Sequence, residues 1–235
     1  MRKVHAIVTA AGSSRRMGET DKLTLPLDGK PLLVRALEPF LSYPAIGQVV
    51  VAANPERVTE FDSLFKELLG SQADKITVTA GGSHRQQSIL NALRLLKDEE
   101  LSSPEEPVMI HDGARPFITS QLFNTLLENL EQYDGVIPAL PVRDTIKRVR
   151  GNDVLHTEDR ETLRMVQTPQ VFQFATILEL HERASQEGFL GTDDASLLEK
   201  YGKKVGWIDG PSYNLKVTIP EDIALLSHLY QSYDH

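Results

Sequence analysis

Apolar residues along this chain fall into two patterns. Short runs occupy Val4–Ala10 and residues 49–53, 75–80, 107–111 and 135–139. Runs of that length, bounded by Gly, Pro or Asp, predict buried strands of a parallel sheet. Between them the apolar positions recur every three or four residues. This predicts helices over 31–41, 55–69, 86–97 and 119–133. Ile89, Leu93 and Leu96 line one face of the third helix, and Leu122, Leu126 and Leu130 one face of the fourth. Pro31 stands at the first position of the first helix, where its missing N–H costs nothing. Short strands alternating with amphipathic helices predict an α/β fold with a mostly parallel sheet and helices on both faces. Such sheets bind ligands at the carboxyl ends of their strands. The loops that matter are therefore those after Ala10, Ala80 and His111.

The alternation breaks between Val142 and Asp159. Residues 142–149 and 154–157 alternate branched and polar side chains around a Gly151-Asn152-Asp153 turn, which predicts a polar β-hairpin. A lone two-stranded hairpin is marginal in water. Periodicity alone leaves open whether it folds back on its own sheet or packs on a second subunit. Beyond it, helices are predicted over 174–187 and 194–201, strands over 203–208 and 214–217, and a last helix from about Pro220. Thr218-Ile219-Pro220-Glu221 reads as a capping box for that helix. With no repeat and no low-complexity linker, the 235 residues read as a single domain, 1–235, carrying one arm at about 141–160.

Composition narrows the classes. Hydrophobic residues make up 40% and charged residues 25%, as in a soluble globular protein. No apolar run approaches the length of a membrane span, and the N-terminal residues lack the pattern of a signal peptide. Cysteine is absent, which excludes disulfides and thiolate chemistry and fits a cytoplasmic location. The formal net charge of −8 disfavours nucleic acid as a partner. Against that acidic background, local clusters of Lys and Arg are informative.

The first such cluster follows the first strand, in Thr9-Ala10-Ala11-Gly12-Ser13-Ser14-Arg15-Arg16-Met17-Gly18-Glu19-Thr20-Asp21-Lys22. Small residues let the backbone approach a ligand closely, and converging N–H groups bind phosphate oxygens. The loop matches neither a Walker A sequence nor a dinucleotide fingerprint. A Gly/Ser-rich turn is ordinarily only a turn, but two cations, Arg16 and Lys22, at this place in the fold favour a phosphate site. Gly81-Gly82-Ser83-His84-Arg85-Gln86-Gln87-Ser88 follows the third strand. His111-Asp112-Gly113-Ala114-Arg115-Pro116 follows the fourth. Taken singly, Asp112 before Gly113 is a turn former, and Arg115 and Lys216 are solvated charges. His111 reads as a packed, hydrogen-bonded histidine at a strand end, without a catalytic role.

Together with Asp144-Thr145-Ile146-Lys147, Gln167-Thr168-Pro169-Gln170, Gly191-Thr192-Asp193-Asp194-Ala195-Ser196 and Asn214-Leu215-Lys216-Val217-Thr218, these segments occur in an order that resembles the 2-C-methyl-D-erythritol 4-phosphate cytidylyltransferases. The resemblance spans Val4 to about Leu229. It implies a Rossmann-like nucleotidyltransferase fold and transfer of CMP from CTP to methylerythritol phosphate, with release of pyrophosphate. It implies Mg²⁺, held by Asp112 or otherwise by the CTP phosphates, and a homodimer joined through the arm. Carried over by motif, Ala10, Ala11, Gly12, Gly82, Arg85 and Ser88 hold the nucleotide. Arg16 and Lys22 grip the triphosphate and stabilise the transition state. Asp112, Arg115, Thr145, Arg160, Thr168 and Lys216 form the acceptor site. The chain departs from the pattern beside Lys22, where Asp21 and Leu23 stand in place of the family's frequent Pro and Gln. Thr9 stands where many members have Pro.

The residue types suit such a reaction. A phosphate acceptor is already an anion and needs no general base, whereas bringing two polyanions together needs fixed positive charge. The chain offers cations and no nucleophile–base array. Two other readings compete: a cytidylyltransferase for another polyol phosphate such as ribitol 5-phosphate, and an inert nucleotide-binding scaffold. Retention of Arg16, Lys22, Asp112 and Lys216 together argues against the scaffold.

Overall fold

The computed structural model describes residues 3–12, 21–219 and 221–232. The predicted Arg16 lies outside the described residues. The central sheet is built from β1 (Val4–Ala10), β4 (Ile46–Ala53), β5 (Ile76–Ala80), β6 (Pro107–Asp112), β7 (Gly135–Pro141), β10 (Arg164–Val166), β11 (Gln170–Gln173) and β12 (Val205–Asp209). A small hairpin, β2 (Pro26–Leu27) with β3 (Lys30–Pro31), and the arm, β8 (Lys147–Arg150) with β9 (Asp153–Thr157), stand apart from it. The helices are α1 (Leu32–Ser42), α2 (Val58–Leu69), α3 (Arg85–Asp98), α4 (Ser120–Asn129), α5 (Phe174–Glu187), α6 (Ala195–Lys200) and α7 (Glu221–Ser232).

The spatial order is β12-β7-β11-β6-β1-β4-β5, with β10 pairing the far end of β7 on the β11 side. β1 pairs in parallel with β4 and β6, and β5 extends the parallel set. Only β11 and β10 run antiparallel to their neighbours. The two-residue period of the strands sorts their side chains onto two faces. Val4, Ala6, Val8, Val49, Val51 and Met109 pack under α1, α2, α4 and the buried Leu226 of α7. Ile7, Val50, Ala52, Val108, Ile110 and Phe172 pack under α3, α5 and α6. With both faces covered, the central strands are mostly apolar, broken by the buried His5 of β1 and by His111 and Asp112 at the end of β6, which is why they read as apolar runs in the sequence. Among the described residues, no helix is long and apolar enough to cross a membrane.

Three local features differ from the sequence expectation. β10 and β11 have no counterpart in it, because strands of three and four residues leave too short a pattern to read. The strand expected over 214–217 does not form. The carbonyl of Asn214 is taken by Arg115 and Gln167, that of Val217 by Lys22, and the N–H of Val217 by Ala114. Those backbone groups are committed to separate partners instead of a ladder. The cap of α7 is also different: Asp222, rather than Glu221, accepts from the N–H and hydroxyl of Thr218 and from the N–H of Ile219.

The arm is a two-stranded antiparallel sheet in which every residue is exposed, and it turns at Gly151 with φ 59°. It does not fold back onto the central sheet. Val149 is 58% exposed and Val154 60%.

The chain passes tightly where β7 begins. A Cβ added at Gly135 would lie 2.5 Å from the Phe172 ring and 2.8 Å from Leu198. Gly135→Ala should therefore cost about 1–3 kcal/mol, as overpacking does in well-filled cores. Denaturant midpoints measure it. An unchanged midpoint contradicts the close packing of β7 on Phe172.

Candidate active site

The loops after β1, β5 and β6 meet above the carboxyl ends of their strands. Gly81 donates its N–H to the Ala53 carbonyl, and a Cβ there would come within 2.5 Å of the Ala11 side chain. Only glycine lets these loops close up. His84 caps α3 by accepting from the N–H of Gln87. The hydroxyl of Ser88 accepts from the N–H of Gly82 and donates to the His84 carbonyl, which fixes the glycine turn over the helix start. The result is a cleft of about 420 Å³. Ala10, Ala11, Gly12, Lys22, Gly82, Arg85, Ser88, Asp112 and Lys216 all line it.

Asp112, at the end of β6, is the electrostatic centre of the cleft. Its Oδ2 accepts from Lys216 Nζ at 2.7 Å and lies 3.7 Å from Arg115 Nε. Its Oδ1 accepts from Arg85 Nε at 3.4 Å and from the Thr9 hydroxyl at 3.5 Å. Burial alone would raise the carboxyl's pKa. The facing Arg85, Lys216 and Arg115 outweigh burial and hold it well below the usual carboxylate range. Arg85 reaches on to a second buried carboxylate, with its Nη1 2.8 Å from Asp194 Oδ2. Asp194 in turn meets His181 Nε2 at 3.2 Å, and both side chains are almost fully buried. Burial lowers the pKa of Arg85, but Asp194 and Asp112 more than reverse this and raise it above its ordinary value.

A second network fixes the end of β6 from below. His111 Nε2 lies 2.9 Å from the Arg115 carbonyl, which can only accept, so Nε2 carries the proton. In the neutral ring Nδ1 is then an acceptor, and the Thr168 hydroxyl donates to it at 3.0 Å. That hydroxyl's oxygen accepts from the Asp112 N–H at 3.1 Å. Thr168 therefore holds the Asp112 backbone and spends its hydroxyl inside the protein. Arg115 donates to the Asn214 carbonyl at 2.7 Å, and Asn214 donates to the Thr168 carbonyl at 2.8 Å. These bonds tie residues 214–217, and with them Lys216, to the strand that carries Asp112.

Lys22 also lines the cleft, with Nζ donating to the Val217 carbonyl at 3.1 Å. Asp21 caps the Lys22–Thr24 turn by accepting from the Leu23 N–H, and Leu23 is only 3% exposed. The two departures beside Lys22 thus have local structural roles as a cap and a core anchor.

The structure brings together nine of the expected site residues in the cleft and places Arg115 and Thr168 against them. Thr145 and Arg160 do not join them. Both are exposed in the arm region, and Arg160 donates to the Arg143 carbonyl at 2.8 Å. Sequence reasoning missed Asp194, His181, Asn214 and Gln167 as supports of the site. Asp194, Asn214 and Gln167 stand out in the sequence only as members of the quoted segments, and nothing in the sequence marks His181 as buried.

The chain matches the family described as IspD, 2-C-methyl-D-erythritol 4-phosphate cytidylyltransferase, over residues 4–231. It is 43% identical over 220 residues to the protein of that name from Geobacillus kaustophilus, covering 93% of this chain and 92% of that one. It is 41% identical over 220 residues to the one from Bacillus mycoides, covering 93% and 94%. A solved structure of 4-diphosphocytidyl-2C-methyl-D-erythritol synthase from Anaerococcus prevotii superposes with a TM-score of 0.82 at 26% identity, covering 98% of this chain and 96% of that one.

The hydrogen-bond network around His111 has a consequence for pH. Burial depresses its pKa from 6.5 to about 4. The unfolded chain takes up this proton below about pH 6.5, while the folded chain does so only near pH 4. His111 therefore lowers stability progressively as pH falls through that window and has no effect above it. ¹⁵N NMR of the imidazole should show the neutral Nε2–H tautomer down to about pH 5. A midpoint near 6.5, or the opposite tautomer, contradicts the network.

Proposed function

The chain belongs to the 2-C-methyl-D-erythritol 4-phosphate cytidylyltransferase family, and from that premise we propose that it transfers CMP from CTP to 2-C-methyl-D-erythritol 4-phosphate in the non-mevalonate isoprenoid pathway, with release of pyrophosphate. The observation that carries this reading is the cleft, in which segments far apart in the chain place Lys22, Arg85 and Lys216 around Asp112. Lys22, Arg85, Arg115 and Lys216 carry more positive charge than Asp112 and Asp194 neutralise. The surplus attracts anions.

In this reading an oxygen of the acceptor phosphate attacks the α-phosphorus of CTP. The bond from that phosphorus to the bridging oxygen breaks, and pyrophosphate leaves with the electron pair. No proton has to move. Asp112 stays ionised and His111 stays neutral and buried, so neither serves as a proton shuttle. The small residues 10–12 and Gly82 let the nucleotide approach the backbone. Lys22 and Arg16 stabilise charge on the α-phosphate and the leaving group. Lys216 and Arg115, ordered by Asp112, receive the acceptor phosphate.

Magnesium belongs to the same proposal. Among the described residues no three acidic or histidine side chains gather into a metal cage, and the oxygens of Asp112 already face Lys216 and Arg85. These residues would fit a magnesium ion brought mainly by the triphosphate, with Asp112 as the carboxylate that would help hold it. When bound, it neutralises phosphate charge and orients the chain of phosphates.

The exposed arm supports a homodimer. Thr145 and Arg160 stand clear of their own cleft, and Val149 and Val154 present apolar surface. Exchange of arms between two copies buries that surface twice and gives each cleft the partner's Arg160. Cytoplasmic placement is part of the proposal, supported by the absence of cysteine.

Pyrophosphate release with a panel of nucleotides and polyol phosphates tests the activity. CTP with methylerythritol phosphate should give the highest kcat/KM. Lys22→Ala should lose about 10²–10³ in kcat while folding normally. Preference for UTP or for ribitol 5-phosphate contradicts the assignment, and near-normal turnover of Lys22→Ala contradicts its role.

Complementation tests the arm. Lys22→Ala and Arg160→Ala homodimers should each be nearly inactive. The jointly refolded mixture should regain about a quarter of wild-type activity, because half the dimers are mixed and each of those has one intact site of two. Mixed dimers without recovery place Arg160 in its own chain's site.

A further inference from the structure

Lys22 stands on a 3₁₀ turn of three residues, Lys22–Thr24, which is too short to hold a side chain in place by its own hydrogen bonds. The surrounding contacts hold the turn on three sides. Leu23 is sunk in the core at 3% exposure. Leu32 at the start of α1 donates its N–H to the Leu25 carbonyl at 2.9 Å. The third contact is ionic. Asp21, whose Oδ1 accepts from the Leu23 N–H at 3.0 Å, places its Oδ2 against Nη1 of Arg57.

Arg57 is itself held in one orientation. It follows β4 at the head of α2, and its guanidinium carbon lies 4.3 Å over the ring of the fully buried Phe61. Its Nε and Nη2 donate to the two oxygens of Glu60 at 2.9 and 2.6 Å. A planar guanidinium with one edge on Glu60 and its face on Phe61 has one remaining direction for Nη1, and Asp21 occupies it. The side chains of Arg57 and Asp21 are only 20% and 28% exposed, so the pair is partly shielded from water.

We infer that Asp21 and Arg57 form a latch that fixes the Lys22 turn to α2, and that both are positioning residues for the reaction at the cleft. Neither lines the cleft, so their effect is transmitted through Lys22. This rests on the reading that Lys22 acts on the triphosphate. A charged group that stabilises a developing oxyanion is effective only when its position is set beforehand, and a shift of about 1 Å costs up to about 10²-fold in rate. The latch joins the wall carrying Lys22 to the helix that follows β4.

The test combines kinetics with amide exchange. Asp21→Ala and Arg57→Met should each lower kcat roughly ten- to hundredfold with little change in acceptor KM. The double variant should be no worse than either single one. In a Lys22→Ala background, Asp21→Ala should change kcat by less than about twofold, since its effect runs through the missing ammonium. Hydrogen exchange should accelerate at the Leu23 and Leu25 amides in both single variants, with the global unfolding midpoint nearly unchanged. Wild-type turnover in Arg57→Met, or a full additional loss on top of Lys22→Ala, overturns the latch. If the wild-type protein releases no pyrophosphate, the activity reading fails separately. Unchanged exchange at Leu23 and Leu25 would then still overturn the latch, and accelerated exchange would uphold its hold on the turn.

Discussion

The cleft depends on one buried carboxylate. Asp112 ends β6, in the middle of the sheet, and its two oxygens face Arg85, Lys216 and Arg115. Each cation comes from a different part of the chain: the start of α3, the segment before α7, and the loop after β6 itself. Three cations would repel one another if nothing stood between them. A buried anion turns that repulsion into a defined arrangement, because partial burial strengthens every attraction it makes. The support beneath it is neutral. His111 and Thr168 fix the Asp112 backbone without adding charge.

This arrangement explains why a phosphoryl-transfer site needs so little reactive chemistry of its own. Neither Asp112 nor His111 exchanges a proton near neutral pH, since Asp112 is held ionised and His111 neutral. They act by place and charge. Asp194 and His181 extend the same logic inward by holding the far side of Arg85. Elements on both faces of the sheet therefore contribute: α3, α5 and the start of α6 through Arg85, and the segment before α7 through Lys216. The family's parallel sheet supplies a rigid edge on which these loops converge.

Much of the fold was legible because burial on both faces leaves apolar runs in β1, β4 and β6, while the covering helices show their period. The segment 214–217 departs from its sequence pattern for an equally physical reason. Asn214-Leu215-Lys216-Val217 alternates like a strand, yet its carbonyls serve Arg115, Gln167 and Lys22. The site was legible as ordered segments rather than as single residues. Asp112 before Gly113 is an ordinary turn until three cations are seen around it. Asp194 and His181 gave no signal as a pair, because thirteen residues separate them and only the packing of α5 against α6 brings them together. Thr145 and Arg160 show the reverse limit: the resemblance assigns both to the acceptor site, yet one chain's structure leaves them exposed.

The claim that Asp112 organises the cations is tested most directly by single-turnover kinetics of Asp112→Asn with both substrates saturating. This change preserves the side chain's shape and removes its charge. A loss of about 10² or more in the transfer rate, in a protein that still folds, is the predicted result. A rate within about threefold of the wild type would show that Lys216, Arg115 and Arg85 hold their places without the carboxylate, and would contradict the account.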